Sequence, residues 1–419
     1  MSIMWVWGNN DVGQLGLNDT ANRSSPVTTA FDFTKVVTSG GHSTNHSIAI
    51  DPSGMVWTWG SNSYGCLALG DTANRSTPTQ ISRPSSYIDI AGCRVNSYFL
   101  DADGSLWGVG YGGFGQLGNP LQNSSSPKLI AASVVKIVSS GACDHAFYID
   151  NIGNMYGFGQ NGSGQLGDGS QINRSIPTLI GVYSDVALGS YQSGFGNGHS
   201  VFIDASGSLW ATGYNIFGQL GDNTTVSKSS PISISFANPI IKVAAGNNTS
   251  FALDNVNQVW SWGTNSLGQL GLGDTVNRST PTLVSFTGLT GSIVNIAGNI
   301  SSFMAIDSTG KLWGWGQNTH GELGLGDITD RSTPTLISTG VTTFQSISLS
   351  DHFLGLENLP SPPTCWEFIA KFKNSNRLFK MNGPGLFPKS LNIPRNVDRS
   401  TARMIDEGKL IDPSRYNLL

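Results

Sequence analysis

Seven copies of one strand signal, W-x-W-G with substitutions, constrain this chain more than any other feature. The paired positions are Trp5/Trp7, Trp57/Trp59, Trp107/Val109, Tyr156/Phe158, Trp210/Thr212, Trp260/Trp262 and Trp313/Trp315, spaced 49–54 residues apart. A period near fifty residues holds four strands of about five or six residues plus their turns, which is one propeller blade. Residues two apart share a face of a strand, so each bulky pair points one way. The residue between them is mostly small (Val6, Thr58, Gly108, Gly157, Ala211, Ser261, Gly314), so a bulky face meets a small face when blades nest. Large side chains buried in this way contribute about 1.5–3 kcal/mol each, which makes the aromatic stack the expected core.

Three further signals recur in each unit. G-Q-L-G follows the strand at Gly13–Gly16, Gly115–Gly118, Gly164–Gly167, Gly218–Gly221 and Gly268–Gly271, with Gly65-Cys66-Leu67-Ala68 and Gly321-Glu322-Leu323-Gly324 as variants. Seven equivalent copies without a lysine or a following helix are turn chemistry, glycine for positive φ and leucine as a plug, and not a phosphate loop. N-R-S-x-P follows, as in Asn22–Pro26 and Asn277–Pro281, with proline suited to an edge strand. D-x-x-G turns then join two strands at Asp51, Asp101, Asp150, Asp204 and Asp307, with Asp254–Asn257 as the variant. Six such turns serve seven W-x-W-G units. The missing one falls between Glu357 and Met1, so the last apolar strand, Phe353–Glu357, is expected to pair with the first, Met1–Trp7, and close a ring without free edges. The expected fold is all-β: a seven-bladed propeller of four-stranded blades over residues 1–357, with an irregular tail over 358–419.

The unit A-x-D-x-x-G-x-L-W-x-W-G-x-N-x-x-G-Q-L-G resembles the regulator of chromosome condensation repeat family. Asp307 to Gly316, D-S-T-G-K-L-W-G-W-G, matches it closely, and the resemblance covers residues 1 to about 357. It implies a seven-bladed propeller, often closed by interleaved ends. The family's founding member is a nucleotide-exchange factor for a small GTPase that binds chromatin; other relatives are inhibitors or interaction scaffolds. Propellers host unrelated functions, so the resemblance carries over no functional residue.

Charge sorts the partners. Residues 1–357 hold 13 Lys/Arg against 22 Asp/Glu, whereas 358–419 hold 10 against 5. An acidic ring argues against nucleic acid as its partner, while a basic tail suits an acidic surface. No stretch of about 18 apolar residues is present, and Met1–Trp5 lacks the basic and apolar regions of a signal peptide, so no membrane partner is expected. Cys66, Cys93, Cys143 and Cys365 form no C-x-x-C pair, so neither zinc nor a disulfide framework is indicated.

Where a repeat departs from its own pattern, function has room to be written. Five residues before each turn acid stands His46, Asn96, His145, His199, Thr249, Ser302 or His352, holding four of the six histidines. Asp144-His145 and Asp351-His352 have the look of a base and its orienter, but recurrence at one repeat position makes them hydrogen-bonding residues of a strand start. Neither a catalytic residue nor a cofactor is expected. The clearest departure is an insertion, Ser190 to Gly198, carrying Tyr191 and Phe195 on a glycine-rich tether; Gly40–Asn45 is a smaller one. Aromatics on loops of a rigid scaffold are frequent contact anchors. The tail is the other departure. After the linker Leu359–Pro363, Cys365–Phe372 reads as a short amphipathic helix presenting Trp366, Phe368, Ile369 and Phe372. The expected function is therefore non-enzymatic binding of protein partners, the tail fastening the propeller into a multi-subunit assembly such as a virus or phage particle. The alternative is exchange or regulation of a small GTPase.

Overall fold

The computed structural model describes residues 2–418 apart from 40–43, 83–85, 119–121, 141–142, 191–196, 300, 338–345, 350–351, 359–365, 373–377, 384–389, 392–396, 407–408 and 412–416. Ser2–Glu357 form one compact unit and Asn358–Leu419 a second.

The first unit is the ring of seven four-stranded sheets read from the repeat. One blade shows how each is built. Lys35–Ser39, His46–Ile50, Val56–Gly60 and Arg75–Gln80 lie side by side in chain order, each antiparallel to the last. We number this blade 2; blades 3 to 7 follow at 87–131, 134–181, 185–234, 240–283 and 293–337. The inner strands of blades 2 to 7 line a central cavity of about 450 Å³. Blade 1 closes the ring, in the order Arg23–Thr29, Ser2–Gly8, His352–Asn358, Ser346–Leu349.

The closing contacts copy those inside the other blades. In five of them the turn aspartate accepts a hydrogen bond from an indole six residues on; Trp57 Nε1 donates to Asp51 Oδ2 at 2.9 Å and Trp313 Nε1 to Asp307 Oδ2 at 3.1 Å. In blade 1, Trp5 Nε1 donates to Glu357 Oε2 at 3.0 Å across 352 residues of sequence. The rings of Trp7 and Phe353 stack behind this bond, with centroids 3.7 Å apart.

Blades are tied to each other by the second aromatic of each pair. Trp59, Trp262, Trp315 and Trp7 are fully buried, and each donates Nε1 to a backbone carbonyl of the preceding blade's G-Q-L-G loop: Gln14, Gln219, Gln269 and Glu322. The loop leucines Leu15, Leu67, Leu117, Leu166, Leu220, Leu270 and Leu323 are buried as plugs. The first loop glycine is required by crowding. At Gly321, with φ 81°, a Cβ would lie 2.4 Å from Ser24 Cα of the next blade, and the other six blades repeat this contact. N-R-S fixes the loop that leads to the outer strand. Asn10 N donates to Asn22 Oδ1 at 2.7 Å, and Arg23 pairs with Asp19 at 2.6 Å, as Arg75 does with Asp71.

In the second unit Trp366–Phe372 is a strand, which corrects the helix expected there. It lies between Leu378–Gly383 and Val397–Asp406, and Lys409–Ile411 completes a four-stranded sheet. W-E-F-I-A-K-F carries its aromatics at alternate positions and is rich in residues that favour strands, so a period of two overrides the short helical pattern. Ser390–Leu391 pairs in parallel with Asn417–Leu418.

Candidate functional site

In an antiparallel four-stranded blade, the first and third connections leave from one end and the middle turn from the other. All G-Q-L-G loops, and all loops joining the two innermost strands, therefore share one face of the ring.

The four repeat histidines sit at this end as an inter-blade hoop. His352 Nε2 lies 2.8 Å from Ser47 Oγ of the next blade, His46 Nε2 2.9 Å from Ser97 Oγ, His145 Nε2 3.1 Å from Ser200 Oγ, and His199 Nε2 2.9 Å from Ser250 Oγ. Each serine hydroxyl already donates to a loop carbonyl, that of Gln14, Cys66, Gln165 or Gln219. Its oxygen is left to accept, so each imidazole carries its proton on Nε2. Where the next blade has Ala146, Phe303 or Phe353 in place of serine, the histidine gives way to Asn96, Thr249 or Ser302. Burial drives His46 and His199 down to about 4 and His145 and His352 to about 3, so all four are neutral bridges near neutral pH. These are the hydrogen-bonding residues expected from recurrence. Asp144 turns to Arg94, with Nη2–Oδ2 at 2.7 Å and Nε–Oδ1 at 3.2 Å. Burial raises its carboxyl, and Arg94 and Gln116 partly counter that. Asp351 lies outside the described residues.

Burial pushes the Cys66 thiol up to about 12 and raises Cys93 and Cys143 too, which removes the thiolate a nucleophile needs. Among the described residues no group of three or more His, Cys, Asp or Glu is gathered to hold a metal, and no helix is long and apolar enough to cross a membrane.

What this face does carry is an aromatic cluster. Tyr64 and Tyr111 meet edge to face with centroids 5.2 Å apart, and Tyr111 meets Phe114 in the same way at 5.6 Å. Tyr64 is 38 % exposed and its partners are half-buried. The cluster spans blades 2 and 3 because Tyr111-Gly112-Gly113-Phe114 replaces the x-Asn-x-x that precedes G-Q-L-G elsewhere. The backbone is held from below: Asn96 Nδ2 donates to Tyr111 O at 2.6 Å, and Gly112 N to Asn123 Oδ1 at 3.1 Å. In blade 5, Ile216 is 49 % exposed in the matching loop, beside half-buried Phe217.

Of the residues expected to bind partners, Tyr191 and Phe195 lie outside the described residues. The end of their insertion is described, and Ser163 Oγ donates to Asn197 Oδ1 at 3.3 Å, on the same face as the cluster. Residues 40–43 are also outside, and Trp366, Phe368 and Phe372 lie in the strand of the second unit. The sequence reading missed Tyr64, Tyr111 and Phe114. The loss of the loop asparagine at Gly112 was the available signal.

Residues 4–355 match the RCC1-like domain, nearly the whole ring. The chain belongs to the RCC1-like domain family. Among its relatives, the ultraviolet-B receptor UVR8 of Arabidopsis thaliana is 28% identical over 338 residues, covering 79% of this chain and 52% of that protein. Human Protein RCC2 is 32% identical over 130 residues, 30% of this chain and 24% of RCC2. The probable E3 ubiquitin-protein ligase HERC4 of Homo sapiens is 29% identical over 240 residues, 56% of this chain and 18% of HERC4. The chain thus spans about half the length of UVR8 and a quarter or less of the other two. Human WBSCR16 superposes with a TM-score of 0.74 at 21% identity, covering 85% of this chain and 99% of that one. Yeast RCC1 (Prp20) bound to Kap60 gives 0.73 at 19%, covering 86% and 89%. These two likenesses establish the RCC1-like propeller fold.

Proposed function

We propose that this RCC1-like propeller is a non-enzymatic binding protein that docks a protein partner on its G-Q-L-G face, with Tyr64, Tyr111 and Phe114 as central anchors. The observation that carries this reading is the cluster itself: three aromatics in mutual contact, partly exposed, on a backbone pinned by Asn96 and Asn123. Aromatic anchors on a rigid base lose little conformational entropy on binding and dominate many interfaces. The insertion that carries Tyr191 and Phe195 ends on the same face at Asn197, and in this proposal its two aromatics serve as further anchors. The basic second unit, with Trp366, Phe368 and Phe372, fastens the ring into a larger assembly, a virus particle being one such setting. Prp20p from Saccharomyces cerevisiae, a ring of the same fold, binds Gsp1p and histones, an example of an RCC1-like ring whose partners are proteins.

The test is affinity capture with the full chain, a Tyr111→Ala/Phe114→Ala variant and a chain lacking 358–419, each with a thermal melt. The reading expects the face variant to lose a partner at unchanged melting temperature, and the truncated ring to leave its assembly while keeping its fold. A face variant that retains every partner refutes the docking face. A truncated ring that melts lower and still assembles refutes the fastening role. Nucleotide release from small GTPases mixed with the ring discriminates the exchange-factor alternative.

A further inference from the structure

The inner strands place one residue from each blade at the same height of the central cavity. Lys35, Asp89, Lys136, Asp185, Lys242 and Asn295 are ladder partners of Ile50, Leu100, Ile149, Ile203, Leu253 and Ile306, each the residue just before a turn aspartate. Ser346 holds the seventh position, opposite Leu356. In four blades a register shift precedes this residue, the irregularity by which a strand re-aims a side chain. Around the ring the order is Ser, Lys, Asp, Lys, Asp, Lys, Asn. Lys35 pairs with Asp89, and Lys136 with Asp185 at 2.7 Å, each pair clasping neighbouring blades.

The third clasp differs. Lys242 Nζ donates to Asn295 Oδ1, a neutral amide where the alternation calls for a carboxylate. Asp185, the carboxylate on its other side, is already engaged by Lys136. Burial and the Lys136 charge lower the Lys242 pKa while Asp185 raises it, as expected of an ammonium short of compensation. Two residues further along each inner strand, about 7 Å deeper, stand Val37, Ala91, Val138, Ala187, Ala244 and Ala297, all lining the cavity of about 450 Å³. A charged rim above a waist of small apolar side chains has the volume and make-up of a small-molecule site.

We infer that the rim end of the central cavity binds a small aliphatic carboxylate, its oxyanion held by Lys242 and the Asn295 amide and its chain directed toward the Ala244–Ala297 side of the waist. An extended four-carbon chain spans about 4 Å, so its methyl end reaches from the rim partway toward the waist. This site stands apart from the G-Q-L-G face, because the rim lies at the D-x-x-G end of the blades.

The experiment is a titration of the full chain with sodium butyrate, acetate and inorganic phosphate at low ionic strength, followed by calorimetry and methyl NMR. Butyrate is expected to bind one to one, more tightly than acetate or phosphate, with shifts at Ala244 and Ala297. Asn295→Asp supplies the missing carboxylate from within and is expected to weaken butyrate about tenfold or more, as loss of a charge-assisted bond does, while the ring melts no lower. Lys242→Met is expected to weaken it equally. Absence of one-to-one binding, equal affinity for acetate and butyrate, or unchanged butyrate affinity in a folded Asn295→Asp variant overturns the inference. None of these outcomes bears on the aromatic docking face.

Discussion

Mild acid should open this ring, and the histidine hoop sets by how much. His46, His145, His199 and His352 titrate at about 3 to 4 in the fold and near 6.5 in the unfolded chain. Between those values the unfolded chain binds protons that the ring refuses, so stability is full above pH 6.5 and falls as pH drops toward 4. At pH 5 each site lies about 1.5 pH units below its unfolded pKa, which costs about 2 kcal/mol per imidazole and about 8 kcal/mol for four. Native domains hold only about 5–15 kcal/mol in reserve, so most of the stability is at stake. The repeat aspartates such as Asp51 and Asp204 have lowered pKa values, the latter to about 2, and lose their contribution only below pH 4. Asp144 and Glu322 are raised and act with the opposite sign, offsetting part of the loss near pH 5 and below. The assay is urea unfolding by tryptophan fluorescence at pH 7.5, 6.5, 5.5 and 5.0. His145→Asn with His199→Asn, following the asparagine that serves this position at Asn96, should remove about half of the pH dependence. A flat stability profile from pH 7.5 to 5, or an unaltered slope in the double variant, would refute the reasoning.

Other outcomes follow from single contacts. Gly321→Ala forces a Cβ onto Ser24 at positive φ and should cost about 2 kcal/mol or more, whereas Gly70→Ala meets open space and should cost about 1; equal losses in chemical denaturation would contradict the crowding argument. Trp5→Phe and Glu357→Ala should each cost about 1 kcal/mol and be non-additive in a double-mutant cycle; additive losses would mean that the closing bond is not formed. Cys66, Cys93 and Cys143 should resist thiol reagents at pH 8 until denaturant is added; rapid labelling of any of them in the native ring would show a fluctuating blade.

The ring was legible because each recurring residue has a local physical task. Tryptophan two residues from tryptophan, glycine where a neighbouring blade crowds the backbone, and aspartate at the turn need no distant context. The closure was legible by counting, since a missing turn and two unpaired strands imply each other. The hoop was half legible: the histidines were seen, but not that each requires a serine one blade on. The aromatic cluster escaped because departures were sought as insertions, whereas the blade 3 loop before G-Q-L-G keeps its length and trades Asn for Gly112 beside Tyr111. The strand at Trp366–Phe372 was misread because seven residues fit two periods, and only pairing with Leu378–Gly383 and Val397–Asp406 decides between them.

Indole bonds run backward around the ring, from Trp59 to Gln14 and from Trp7 to Glu322, while imidazole bonds run forward, from His46 to Ser97. A blade's two flanks are therefore unlike, as in head-to-tail assemblies that close only when the rotation comes full circle. A fragment of three or four blades would present one edge of indole donors and serine acceptors and another of imidazole donors and loop-carbonyl acceptors, and the two match each other. Such pieces should join into composite circles when mixed, and seven blades mark where a single polypeptide first meets its own other end.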